Sequence, residues 1–136
     1  MLEVSAEELL RSRNRQEQHA KDIRDDSARR MLLFYTVECG GKYQLLDHAG
    51  CKLYTQLPKY NEYKHDIKKI LKEIGLEEKC EFPTVQSMHG EDIRPGQYQE
   101  MWRYGINCKD AKEKGQKIEH NLNKALELLH DLETRR

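Results

Sequence analysis

Proline is scarce in this sequence. Only Pro58, Pro83 and Pro95 occur in 136 residues, and all three lie outside the stretches of regular apolar spacing. Few breakers, with abundant Glu, Lys, Leu and Gln, point to helices. Net charge is absent as well: 24 Lys and Arg offset 24 Asp and Glu. That balance argues against a nucleic-acid coat or a polybasic membrane binder, while leaving room for a local basic groove. No apolar run approaches the ~20 residues that a bilayer-spanning helix needs, so no membrane association is expected. The opening Met-Leu-Glu-Val-Ser-Ala-Glu-Glu is acidic and lacks the apolar core of a signal peptide, which makes a cytoplasmic location the default. The four cysteines stand at 39, 51, 80 and 108. No two are separated by two residues and no Cys/His group has zinc-finger spacing, so they read as reduced, partly buried thiols. No metal and no cofactor is expected.

What is present is a length sufficient for one domain with one core, and a set of helical signals. Ser5-Ala-Glu-Glu8 opens a first helix over about 5–25, with the acid of the capping pattern at Glu8. From Arg11 to Lys21 only Ala20 is apolar, so this helix is expected to be solvated on most sides, with Arg11, Arg13, Arg15 and Arg24 on a mixed-charge face. Asp26-Ser27 caps or kinks the junction to a second helix over about 27–47. There Ala28, Met31, Leu32, Tyr35, Cys39, Tyr43 and Leu46 recur at helical spacing, and Leu33, Phe34 and Val37 widen the stripe. A helix apolar on so many sides belongs at the centre. Gly40-Gly41 inside it implies a close approach of another backbone or a local kink. Its width also exceeds what short neighbours cover, which predicts a dimer.

A third helix is expected over about 59–74, with Tyr60, Tyr63, Ile67, Ile70, Leu71 and Ile74 on one face and Lys64, Lys68, Lys69 and Lys72 on another; Gly75 closes it. Residues 76–95 form an irregular connection long enough to be functional or mobile. Pro95 suits the start of a short helix over 96–104. Asp110-Ala-Lys-Glu113 resembles a capping box at the head of the last helix, 110–134, striped by Ile118, Leu122, Ala125, Leu129 and Leu132. The expectation is a single all-α domain over 1–136, a bundle of four to five helices.

Three segments taken in order resemble the HEPN superfamily of small helical proteins. They are Phe34-Tyr-Thr-Val-Glu-Cys-Gly-Gly-Lys-Tyr43, Lys64-His-Asp-Ile-Lys-Lys-Ile-Leu-Lys-Glu-Ile-Gly75, and Trp102-Arg-Tyr104 ahead of the final amphipathic helix. The resemblance spans about 28–132. It implies a compact bundle that often dimerises, membership of toxin–antitoxin or antiviral (antiphage) defence systems, and in many relatives a metal-independent RNase. The nuclease hallmark of that superfamily is Arg, about four to six residues, then His near a late helix. This chain departs from it: Arg103 is followed at the permitted positions by Cys108, Lys109 and Asp110, and Arg94 by Gln99, Glu100 and Met101. The one literal match, Arg13 to His19, falls in the first helix.

The candidate site residues follow from chemistry. Glu38 is a carboxylate set in an apolar run, costly to bury unless paired. Its expected partner is Arg103, either as a structural ion pair between helices or, with Tyr104, as the orienting carboxylate, phosphate clamp and proton donor of an RNase. Tyr60, Tyr63, Lys64 and Lys68 form a surface able to stack on and neutralise RNA or to meet a partner; the competing reading is a solvated face over core tyrosines. His65 and Asp66 read either as an acid–base pair or as a partly buried histidine beside a residue that offsets the helix dipole. His89-Gly-Glu-Asp92 reads as a reactive or partner-binding element or as a plain polar loop. Two functions therefore compete. One is a non-catalytic HEPN-like subunit or homodimer binding a protein partner or RNA; the other is a metal-independent endoribonuclease with a non-standard site.

Overall fold

The structure is a computed structural model describing residues 2–135. Six α-helices pack together: α1 (Ala6–Ala20), α2 (Asp26–Ala49), α3 (Tyr60–Tyr63), α4 (Ile67–Glu73), α5 (Tyr98–Arg103) and α6 (Ala111–Thr134). A small antiparallel hairpin, β1 (Val85–Gln86) and β2 (Asp92–Ile93), pairs Val85 with Ile93 and Gln86 with Asp92. The protein is thus mostly helical, as expected, with the hairpin as an addition inside the connection read as irregular. Short 3₁₀ turns at 54–56, 77–79 and 95–97 complete the links.

α1 starts where Ser5 and Glu8 exchange hydrogen bonds, the capping box read from the sequence. It ends earlier than expected, at Ala20, and Asp25 caps α2 by accepting from the Ala28 amide. α2 runs unbroken through Gly40-Gly41 and contacts α1, α4, α5 and α6. Leu33, Phe34, Val37, Leu45 and Leu46 are buried by these neighbours, while Met31, Leu32, Tyr35, Cys39 and Tyr43 are partly buried. One core gathers Phe34, edge-on to both Tyr98 and Trp102, with Ile118, Leu122 and Leu129 of α6. A second gathers Leu9, Leu46, Tyr54, Leu57, Tyr63 and Ile70.

The glycine pair serves side chains rather than a second backbone. A Cβ on Gly41 would stand 2.5 Å from Ile70 Cγ2 of α4, and one on Gly40 would stand 3.1 Å from Arg13 Cδ and 3.2 Å from Leu129 Cδ1. The expectation for Arg13 is corrected here. It is 3% exposed, its stem crossing α2 at Gly40 and its guanidinium paired with Glu133 of α6 and with Asn14. A long cationic side chain buries its methylenes readily when its head finds a carboxylate. The Asp110 cap is corrected too: Asp110 precedes α6 with φ 55° and makes no side-chain capping bond.

The largest departure is the third helix, which is two. α3 stops at Tyr63, and Lys64 takes φ 46°, ψ −121°. The Asp66 amide then donates to the Tyr63 carbonyl at 2.8 Å, closing a tight turn, and Asp66 caps α4 by accepting from the Lys68 and Lys69 amides. That φ, ψ pair is a region glycine favours and a lysine enters only under constraint.

Candidate functional site

The turn at 63–66 swings His65 back toward α2. Its Nδ1 lies 3.1 Å from both carboxylate oxygens of Glu38. Lys42, one turn along α2, donates from Nζ to Glu38 Oε2 at 2.7 Å. Glu38 is buried whereas His65 is half exposed, at 51% of its side chain. Burial alone raises the Glu38 pKa, but the hydrogen bonds from His65 and Lys42 and their charge outweigh it, and the carboxyl is held below the usual carboxylate range. Lys42 also sits 5.0 Å above the Tyr54 ring. The Tyr54 hydroxyl is buried without a hydrogen-bond partner, and burial together with the Glu38 charge pushes its pKa up.

This arrangement corrects the expected Glu38–Arg103 pair. Arg103 is exposed and donates from Nη2 to the Tyr35 hydroxyl at 2.8 Å, while that hydroxyl donates to Gln99 Oε1 at 3.0 Å. Tyr104 is exposed, with the Arg103 guanidinium 6.0 Å from its ring centre. The physical reason lies in spacing and reach. Lys42 is four residues from Glu38 on the same helix face, an orientation that favours the pair, and the Lys64 turn delivers His65 to the same carboxylate. Of the four surface residues, Lys64 and Lys68 are exposed, Tyr60 is half buried and Tyr63 is buried in the second core, so Tyr63 offers no ring face for stacking. His65 and Asp66, weighed together on the sequence, act separately: one binds Glu38 and the other caps α4.

His65 opens on a groove of about 750 Å³ between the α3–α4 turn and the segment from β2 to α5. Lys64, Lys69 and Arg94 line it, and so do Glu62, Asp66, Asp92 and Glu100. Cations and carboxylates are therefore interleaved rather than segregated. His65 lines this groove, and among the described residues its Nε2 makes no hydrogen bond while Glu38 fixes Nδ1. Elsewhere His130 Nε2 meets Glu17 at 2.8 Å, tying α6 to α1, and Arg29 and Arg30 share Glu119, tying α2 to α6. No cluster of three or more His, Cys, Asp or Glu suited to a metal ion occurs among the described residues, and no helix there is long and apolar enough to cross a membrane.

Lys42, Tyr54 and Arg94 are the site residues that sequence reasoning missed. The Glu38–Lys42 spacing carried a usable signal; nothing local marks Tyr54 or Arg94. The fold and the site together define a mostly helical protein of six packed helices with a buried, ion-paired carboxylate beside a mixed-charge groove. No protein-family profile, curated protein or solved structure matches the chain.

Proposed function

We propose that this chain is a HEPN-like interaction module, a non-catalytic subunit or homodimer that binds a protein partner in a bacterial defence or toxin–antitoxin system. The system rests on the sequence resemblance alone. The module reading is carried by the engagement of Glu38 within the fold. A carboxylate ion-paired with Lys42 and hydrogen-bonded to His65 staples α2 to the α3–α4 turn. Arg103 is committed to Tyr35, so Glu38, Arg103 and Tyr104 share no partner that would make them a phosphate clamp. The groove supports a polypeptide ligand over a nucleic-acid backbone. Glu62, Asp66, Asp92 and Glu100 repel phosphate where Lys64, Lys69 and Arg94 would attract it.

A metal-independent endoribonuclease is the second reading, and one observation favours it. A histidine that lines a groove, with Nδ1 held by a carboxylate and Nε2 making no hydrogen bond among the described residues, has the makings of an oriented general base. Arg94, lining the same groove, is then the available phosphate contact. Purified protein incubated with total tRNA in EDTA separates the two. Intact tRNA supports the module. Cleavage that is lost in His65→Ala and kept in Arg103→Ala overturns it in favour of the nuclease.

A further inference from the structure

The exposed apolar side chains are unevenly placed. Leu2 and Leu53 are exposed near the start of α1, where Leu53 bridges Ser5, whereas Met88, Tyr104 and Ile106, at 62%, 66% and 41%, stand on two other segments that are joined to each other. The link between them is backbone pairing. The Met88 amide donates to the Asn107 carbonyl at 3.1 Å, the Lys109 amide donates to Gln86 at 2.8 Å, and Ser87 bridges Cys108. The hairpin turn and the 104–107 loop are thereby one surface, held to α5 by the Ile106 amide on the Met101 carbonyl. Set into it is a cavity of about 110 Å³, large enough for an aliphatic side chain. Ile93, Met101 and Ile106 supply its apolar wall, and Glu91, Asp92 and Glu100 its polar one. No lysine or arginine lines it. These three carboxylates are exposed and, among the described residues, make no ion pair.

A surface with unshielded apolar side chains beside carboxylates that make no ion pair among the described residues is complementary to a partner carrying the converse; the nearest exposed cation, Arg103, is engaged by the Tyr35 hydroxyl. The geometry points to a docking site at 87–92 and 104–107 for a protein segment in which an aliphatic side chain stands beside lysine or arginine. The aliphatic group fills the cavity against Ile93, Met101 and Ile106, the cation meets Glu91, Asp92 and Glu100, and Tyr104 with Met88 packs over the backbone. The site rests on the reading of the chain as an interaction module and names the chemistry of its partner. It also gives a role to Tyr104 and to the His89-Gly-Glu-Asp92 turn, which the groove beside His65 does not use in full.

The test uses the full chain and two fluorescein-labelled twelve-residue probes, one of alternating Leu and Lys and one of alternating Leu and Glu, followed by anisotropy. The Leu-Lys probe is expected to bind, and the Leu-Glu probe is not. Tyr104→Ser, and separately Glu91→Gln with Glu100→Gln, each weaken the Leu-Lys probe by at least about tenfold, as expected for an anchor and its charge partners. All these side chains are exposed, so the variants keep the far-ultraviolet circular dichroism of the parent. Equal affinity of parent and variants, equal binding of both probes, or no binding of either overturns the proposal. So does a sedimentation dimer that Tyr104→Ser dissociates, which assigns the surface to a second copy. The two readings fail separately: tRNA cleavage in EDTA removes the module without touching the probe result, and loss of probe discrimination removes this site alone.

Discussion

Lys64 pays for the site with its own backbone. At φ 46°, ψ −121° it holds a conformation suited to glycine, and the strain of such a residue is of order 1–3 kcal/mol. Its ammonium makes no hydrogen bond or ion pair among the described residues, so replacement removes little else. Lys64→Gly is therefore expected to raise stability by about 1 kcal/mol, the released strain exceeding the added unfolded-chain entropy of roughly 0.5–1 kcal/mol. Urea denaturation decides it, and an unchanged or lower midpoint shows that the turn is relaxed. Glu38 gives a pH prediction. Its folded pKa lies below its unfolded value of about 4.3, so its contribution is complete above that pH and fades as pH falls through the folded value. Glu38→Gln should flatten the acid limb of stability against pH below about 4.5 relative to the parent, and identical limbs would show that the carboxylate is not coupled to folding. These residues differ in how readable they were. Glu38 and Lys42 announce each other by a four-residue spacing on one helix. His65 does not, because Lys-His-Asp continues the helical apolar spacing, and only the distant carboxylate on α2 gives a reason to break it.

At the scale of elements, α2 is decided by what touches its two glycines. On Gly41 a methyl group would meet a β-branched carbon of Ile70, which is buried and has no free rotor to withdraw. Overpacking of this kind costs about 1–3 kcal/mol, against roughly 1 kcal/mol gained when a helix interior exchanges glycine for alanine. Gly41→Ala should thus destabilise by about 1 kcal/mol. On Gly40 the neighbours are the arginine stem and a leucine methyl, which can yield by tenths of an ångström, so Gly40→Ala should be near neutral. Thermal unfolding of the pair checks the contrast, and equal shifts would mean that α4 does not press on Gly41. The helices themselves were legible where local chemistry is self-sufficient: the Ser5–Glu8 box, the wide stripe of α2, and the regular stripe of α6. The hairpin was not, since two-residue strands carry no detectable alternation and exist through pairing with each other and with 107–109. Nor was the burial of Arg13, because α1 reads as polar throughout and the carboxylate that receives it is contributed by the far end of the chain.

For the whole molecule, that last contact sets how the ends of the chain are joined. α1 reaches α6 through Arg13 on Glu133 and Glu17 on His130. The first pair lies under α1, 3% and 22% exposed, while the second is near the surface, at 23% and 41%. Surface pairs contribute little, so Glu17→Gln should change stability by less than about 1 kcal/mol. A pair buried on one side behaves differently when half of it is removed: Arg13→Ala takes from Glu133 its close partner, leaving only His130 Nδ1 at 3.9 Å, and empties the space beside Gly40, a loss of the order of 3 kcal/mol. Replacing both members, Arg13→Met with Glu133→Leu, keeps the volume and removes both charges, and should recover most of that loss. Because α2 runs through both cores, the loss should appear as one transition: fluorescence of the single tryptophan, Trp102 in the first core, and far-ultraviolet circular dichroism, which includes α1, should give the same urea midpoint in the parent and in every variant. Separate midpoints, with helix content lost before Trp102 responds, would show that α1 is an appended element whose attachment to α6 is independent of the bundle, and the double replacement would then move only the earlier transition.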